Sequence, residues 1–152
     1  MANATTRMTL FHLLDDLRAK CESGKFSIDD CNQLKACVRS SVPKKHGVYL
    51  IYGVLGSSND LLYVGKAGTI CQDGTLKKQT LRGRLINRQR KMARVDFFRK
   101  GMQDGHFEQL HFEWFVTLEN GKVRTPPFLV ESQLLAAFFD EYGCLPQWNS
   151  TA

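Results

Sequence analysis

No stretch of this chain comes near the roughly 18 consecutive apolar residues that a membrane-spanning helix requires. Its first residues, Met1-Ala2-Asn3-Ala4-Thr5-Thr6-Arg7, lack the apolar segment of a secretory signal. That absence favours the cytoplasm and no membrane partner. The five cysteines form no CxxC pair and the four histidines form no HxxxH pair. Neither a disulfide scaffold nor a zinc site is therefore expected. Internal repeats and low-complexity tracts are also missing. What is present is the composition of a globular chain, 43% hydrophobic and 24% charged over 152 residues. A chain of that length buries about 68–70% of its unfolded surface, enough for one core without staples.

The net charge of +6 is unevenly distributed. Between Lys77 and Lys100 stand ten basic residues and a single acid, Asp96, for a local charge of +9. The rest of the chain is at −3. One basic segment on a slightly acidic protein is the footprint expected for a polyanionic partner rather than a uniformly basic surface. The plain alternative is a solvated helix face.

Periodicity divides the chain near residue 46. Leu10, Leu13, Leu14 and Leu17 recur at helical spacing from Thr9 to Lys20, closed by Ser23-Gly24. Ser27 with Asp30 three residues later reads as a capping-box variant, opening a second helix that carries Ile28, Cys31, Leu34 and Val38. Residues 1–46 are thus expected to form an N-terminal helical hairpin, and residues 47–152 the main domain. From Gly47 the pattern changes to Val48-Tyr49-Leu50-Ile51-Tyr52 and Leu61-Leu62-Tyr63-Val64, separated by turn formers, which predicts an antiparallel hairpin. Residues 68–79 read as an irregular insertion, and Leu81 to about Gln103 as a helix with one break near Val95. Leu110–Val116 predicts a third strand, Asn120-Gly121 a tight turn, and Thr125-Pro126-Pro127 the capped start of a helix to Tyr142, stopped by Gly143. The expected class is α+β, with a small three-stranded antiparallel sheet flanked by helices.

The tripeptides Gly47-Val48-Tyr49 and Tyr63-Val64-Gly65, on neighbouring strands of one hairpin, resemble the paired motifs of the GIY-YIG nuclease family. Three further family positions follow in order: an arginine in Leu81-Arg82-Gly83-Arg84-Leu85, a glutamate in Leu129-Val130-Glu131-Ser132, and an asparagine in Gln147-Trp148-Asn149. The resemblance spans about residues 47–149. It implies a metal-dependent DNA endonuclease, with Tyr49 positioning or deprotonating the attacking water and Tyr63 ordering the phosphate side. It further implies that Arg84 binds the scissile phosphate, Glu131 holds one Mg2+ or Mn2+ per site, and Gly47, Gly65 and Asn149 support the site. A tyrosine with an ordinary pKa near 10 is a poor base at neutral pH. A cation beside it favours the phenolate, and Lys66 is the candidate for that cation.

Arg84 is preferred over Arg82 because it shares a helical stripe with Arg88 and Lys91 at i, i+4, i+7. With Lys77 and Lys78 of the insertion, Arg88 and Lys91 are the expected DNA contacts. Glu131 interrupts an apolar run, so its carboxylate needs a partner. One departure stands out: Arg88 occupies a place where many family members carry His or Tyr, and an arginine stays protonated. Two other readings therefore stay open, a catalytically impaired nucleic-acid-binding module of the same fold and an interaction protein acting through its N-terminal segment. Monomer and homodimer are both compatible with the sequence.

Overall fold

The computed structural model describes residues 8–86, 88–89, 92–119 and 123–152. Helix α1 (Leu10–Lys20) is capped by the Thr9 side chain, which accepts the amide of His12. Strand β1 (Glu22–Ile28) follows, then a short 3-10 turn (Cys31–Gln33) and α2 (Leu34–Ser41). The hairpin of β2 (His46–Leu55) and β3 (Ser58–Ala67) leads through a long loop to α3 (Leu81–Ile86). A two-residue ladder, β4 (Arg88–Gln89) with β5 (Met92–Ala93), joins α3 to α4 (Arg94–Gly105). Strand β6 (Gln109–Glu119) and the short β7 (Val123–Arg124) precede α5 (Pro127–Tyr142).

The architecture is α+β, as expected, but the sheet is larger than the sequence suggested. Its order is β1-β6-β2-β3, all antiparallel, with β7 paired on β6. The added strands are β1 and the short β7, and because of β1 the N-terminal segment is helix–strand–helix and not a helical hairpin. Ser27 lies in that strand and caps nothing; Asp30 instead caps the 3-10 turn through the amide of Asn32. The strand forms because Gly24, Phe26 and Ile28 present one face to β6. Phe26 stacks on Phe112 with ring centroids 4.6 Å apart, and Gly24 admits the Trp114 indole where any Cβ would collide.

The helix expected from Leu81 to about Gln103, with one break near Val95, is two helices whose break starts earlier: α3 ends at Ile86 and α4 resumes at Arg94. Gly83 weakens α3, and like charges such as Arg84 and Arg88 at i, i+4 oppose its continuation. The stripe of Arg84, Arg88 and Lys91 therefore does not exist: Arg88 lies in β4, and Lys91 falls outside the described residues. The turn expected at Asn120-Gly121 also falls outside them. At α5, Pro126 rather than Thr125 occupies the cap position and supplies no side-chain bond, while Gly143 ends the helix in the left-handed region, φ 71°.

The sheet separates two apolar layers. On one face, Tyr49, Ile51, Tyr63, Phe112 and Trp114 pack under α2, α3 and α4 with Leu34, Val38, Leu81, Leu85 and Phe98. On the other, Val48, Leu50, Val64 and Phe115 pack against Leu14 of α1 and Val130 and Leu134 of α5. The outer edge of β3 is covered by the C-terminal segment, where Trp148 donates its amide to the Leu62 carbonyl. Such cover keeps an edge strand from pairing with other chains. Among the described residues no helix is long and apolar enough to cross a membrane.

Candidate functional site

The site begins with a register. Tyr49 lies opposite Gly65 on β3 and opposite Trp114 on β6. Gly65 is required there because a Cβ would run into the Tyr49 and Tyr63 rings, whose centroids are 5.8 Å apart. Gly47 has a different reason: a Cβ would meet the Phe115 carbonyl where the β2–β6 register shifts. Asn149 pairs with both backbone groups of Val64, accepting its N–H at 2.9 Å and donating to its C=O at 3.0 Å. The C-terminal turn is thereby fixed to the strand that carries Tyr63 and Gly65.

Residues 68–80 prepare Arg84. The loop folds back on itself through an Ile70–Leu76 bridge and an Asp73 side chain that holds Thr75. Lys77 and Lys78 are exposed on it. Thr80 then caps α3, its hydroxyl accepting the Gly83 amide, and the Gln79 side-chain oxygen Oε1 accepts from Arg84 Nη1 at 3.3 Å. Arg84 is half-buried, and its Nε has no hydrogen-bond partner among the described residues. Arg82 is already committed, donating from Nε to the Val42 carbonyl at 2.7 Å and so tying α3 to the end of α2. Of Arg88 only the backbone is described.

Tyr49 has no exposed surface, and its hydroxyl makes no well-formed hydrogen bond among the described residues, although the Tyr63 side chain is near enough to interact with it. Burial drives its pKa well above the ordinary tyrosine value, with the neighbouring Tyr63 adding to the rise. Two cations oppose this, Arg94 first and Arg84 second. Lys66 is not one of them, contrary to expectation. Paired with Val48, it projects from the face of the sheet opposite to Tyr49. There it acts on Glu131 of α5.

Glu131 is half-buried, and burial raises its pKa, while Lys66 and then Arg84 pull it down. Arg84 thus influences the phenol on one face and the carboxyl on the other. Among the described residues, no set of three or more His, Cys, Asp or Glu side chains comes together to hold a metal. Glu131 is the one acid in this surrounding that the sequence singles out.

Arg94 is the residue the sequence reading missed. It is fully buried, and none of its three guanidinium nitrogens has a hydrogen-bond partner among the described residues. One of ten basic residues in a run, it carried no local mark of burial. The available signal was its spacing, four residues before Phe98 on one helix face. No protein-family model matches the chain, and neither a curated protein nor a solved structure matches it.

Proposed function

We propose that this chain is a metal-dependent DNA endonuclease of the GIY-YIG kind, hydrolysing phosphodiester bonds at the surface where α3, β2, β3 and α5 meet. The observation that carries this reading is the position of Arg84, whose charge acts on both the Tyr49 phenol and the Glu131 carboxyl. A phosphoryl transfer site needs a cation for the phosphate oxygens close to a group that orients water. Arg84 would take the scissile phosphate and Tyr49, with Tyr63 beside it, would orient the attacking water. Because burial keeps the Tyr49 hydroxyl protonated, positioning is favoured over deprotonation.

The donor set fits a divalent ion only in a restricted sense. A single carboxylate suits Mg2+ or Mn2+ where substrate phosphate oxygens and water complete the shell, and Glu131 would be that ligand. When bound, such an ion supplies charge neutralisation on the phosphate. Exposed Lys77 and Lys78, ahead of α3, suit the flanking phosphates. The complete burial of Tyr49 favours one other reading, a nucleic-acid-binding module of this fold without turnover.

Glu131→Gln separates the two and tests the site. A carboxyl whose pKa is raised by folding weakens the fold as pH climbs past its unfolded value, because the unfolded chain ionises first. The amide removes that effect, so the variant is expected to match or exceed wild-type thermal stability at neutral pH. It should also abolish Mg2+-dependent plasmid nicking and any rise of Tm on adding Mg2+. Full nicking by the variant would remove Glu131 from the site; no nicking by the wild-type protein in Mg2+ would leave the binding module.

A further inference from the structure

The interior beneath α3 and α4 holds an unusual concentration of unanswered donors. Four residues there have buried polar atoms with no partner among the described residues: the Tyr49 hydroxyl, Arg84 Nε, all three nitrogens of Arg94, and Trp114 Nε1. Their common location follows from the fold. Tyr49 and Trp114 are cross-strand neighbours on one face. Phe98, one turn after Arg94 on α4, packs against Phe112, two residues before Trp114 on β6. Arg94 thus lies on the core-facing side of α4, a turn nearer to its N-terminus. That N-terminus has no side-chain cap from Ala93, and Asp96 in the first turn is exposed and engaged with Arg99 at 2.8 Å.

Nothing in this set except a phenol oxygen can accept a hydrogen bond. A guanidinium with no exposure and no partner among the described residues is among the least favourable groups a core can contain. These five donor nitrogens, without an acceptor among the described residues, are complementary to an oxyanion: Arg94 offers a whole planar fork, which matches a tetrahedral oxyanion bidentately, and Arg84 adds its Nε.

We propose that Arg94 and Arg84 together form a two-arginine pocket for a phosphate group, in which Arg94 is a second, interior phosphate-binding residue. The pocket deepens the nuclease reading, on which it rests for the identity of the phosphate's carrier. The ligand class itself, a tetrahedral phosphate oxyanion, is testable with inorganic phosphate alone.

The experiment compares wild-type protein, Arg94→Met and Arg94→Lys in thermal melts at constant ionic strength, with inorganic phosphate exchanged for chloride, beside plasmid nicking in Mg2+. Wild-type Tm is expected to rise by roughly 5–10 °C at a phosphate concentration about 100 times Kd. Without phosphate, Arg94→Met should melt at or above the wild-type temperature, since an unpaired buried charge is gone, and its phosphate response should weaken at least tenfold in concentration. Arg94→Lys should lie between, keeping charge without the fork. A wild-type Tm indifferent to phosphate overturns the pocket. So does an Arg94→Met protein that melts lower than wild type yet responds to phosphate undiminished. Should Arg94→Met not fold, the phosphate response of Arg94→Lys decides: weakened supports the pocket, undiminished overturns it. A phosphate response lost in the variants, with no nicking by any protein, keeps the pocket and removes the nuclease. Nicking by wild type with an undiminished response in the variants does the reverse.

Discussion

Arginines approach the central sheet from both sides, and the two sides treat them differently. On the α1 side, Arg18 grips Glu113 of β6 with two bonds, Nε to Oε2 at 2.8 Å and Nη2 to Oε1 at 2.7 Å. Glu113 is 1% exposed, and Lys25 stands 3.7 Å from its Oε2. On the α4 side, Arg94 is just as buried and has no acceptor among the described residues. A buried charge that finds its counterion inside the protein is part of the fold. One left with open donors is a place where a ligand's charge is missing. Position in the sequence does not distinguish them; the residue across the sheet does.

The sharpest way to break this contrast is at Arg84, compared with its neighbour Arg82. Arg84 keeps a buried Nε free, whereas Arg82 is bound to the Val42 carbonyl. A guanidinium acting on a phosphate in the transition state should affect turnover more than binding. Arg84→Lys is expected to lower single-turnover cleavage by about 10²–10³, by analogy with the loss of one oxyanion donor. DNA affinity measured in Ca2+ should stay within a few-fold. Arg82→Lys should leave cleavage alone and reduce stability by about 1 kcal/mol, the usual worth of one hydrogen bond. Equal effects on cleavage from both substitutions would erase the distinction between committed and open arginines.

A smaller effect, of opposite sign to that at Arg94, is expected on the satisfied side. Arg18→Met removes the main partner of a carboxylate that stays buried. The expected loss is roughly 3 kcal/mol, the low end for a broken buried pair, because Lys25 remains near and Arg18 is itself about one-third exposed (35%). Denaturant melts measure it, and single-turnover cleavage should be unchanged. An Arg18→Met protein as stable as wild type would mean that partner completeness is not what separates the two regions.

How much of this was legible in the sequence depends on which physical signal each residue leaves. The β2–β3 hairpin was readable from β-branched and aromatic runs around turn formers. The placement of Tyr49 opposite Gly65 follows from that hairpin together with the paired tripeptides. Strand β1 was not read, because its alternation starts on Gly24, whose contribution is the space left for Trp114 and not an apolar side chain. Strand alternation alone separates Lys66 from Tyr49, since residues opposite Val48 and Tyr49 point to opposite faces. The end of α3 leaves a weak signal because apolar spacing continues past Gly83 and through a run of like charges, so the break at Ile86 falls earlier than periodicity places it. Arg94 was hidden for a related reason, since composition treats ten basic residues as one patch. Burial is a tertiary property, and among the described ones it sets Arg94 apart as fully enclosed.

The smallest expected effect lies in the two tyrosines that accompany these arginines. Tyr52 sits near the Arg18–Glu113 pair, and burial followed by the Glu113 charge pushes its pKa up to about 12. Tyr49 is shifted in the same direction, chiefly by burial. For both, folding favours the neutral phenol, so the associated stability is complete below the unfolded pKa near 10. Above that pH the unfolded chain ionises first, and stability is lost as pH rises toward the folded pKa. Each such group contributes a slope of about 1.4 kcal/mol per pH unit in that window. Tyr52→Phe and Tyr49→Phe should each remove one such slope, leaving a variant that loses stability more slowly than wild type between pH 10 and 12. At pH 8 the two should differ in function, not in fold. Tyr49→Phe discards an unpartnered hydroxyl and should stay within about 1 kcal/mol of wild type, while cleavage falls. Tyr52→Phe should cleave as wild type does. Denaturant melts across pH, read beside single-turnover rates at pH 8, test both halves. If Tyr49→Phe instead melts much lower than wild type at pH 8, its hydroxyl has an acceptor in the folded protein, and the α4 side is as self-contained as the α1 side.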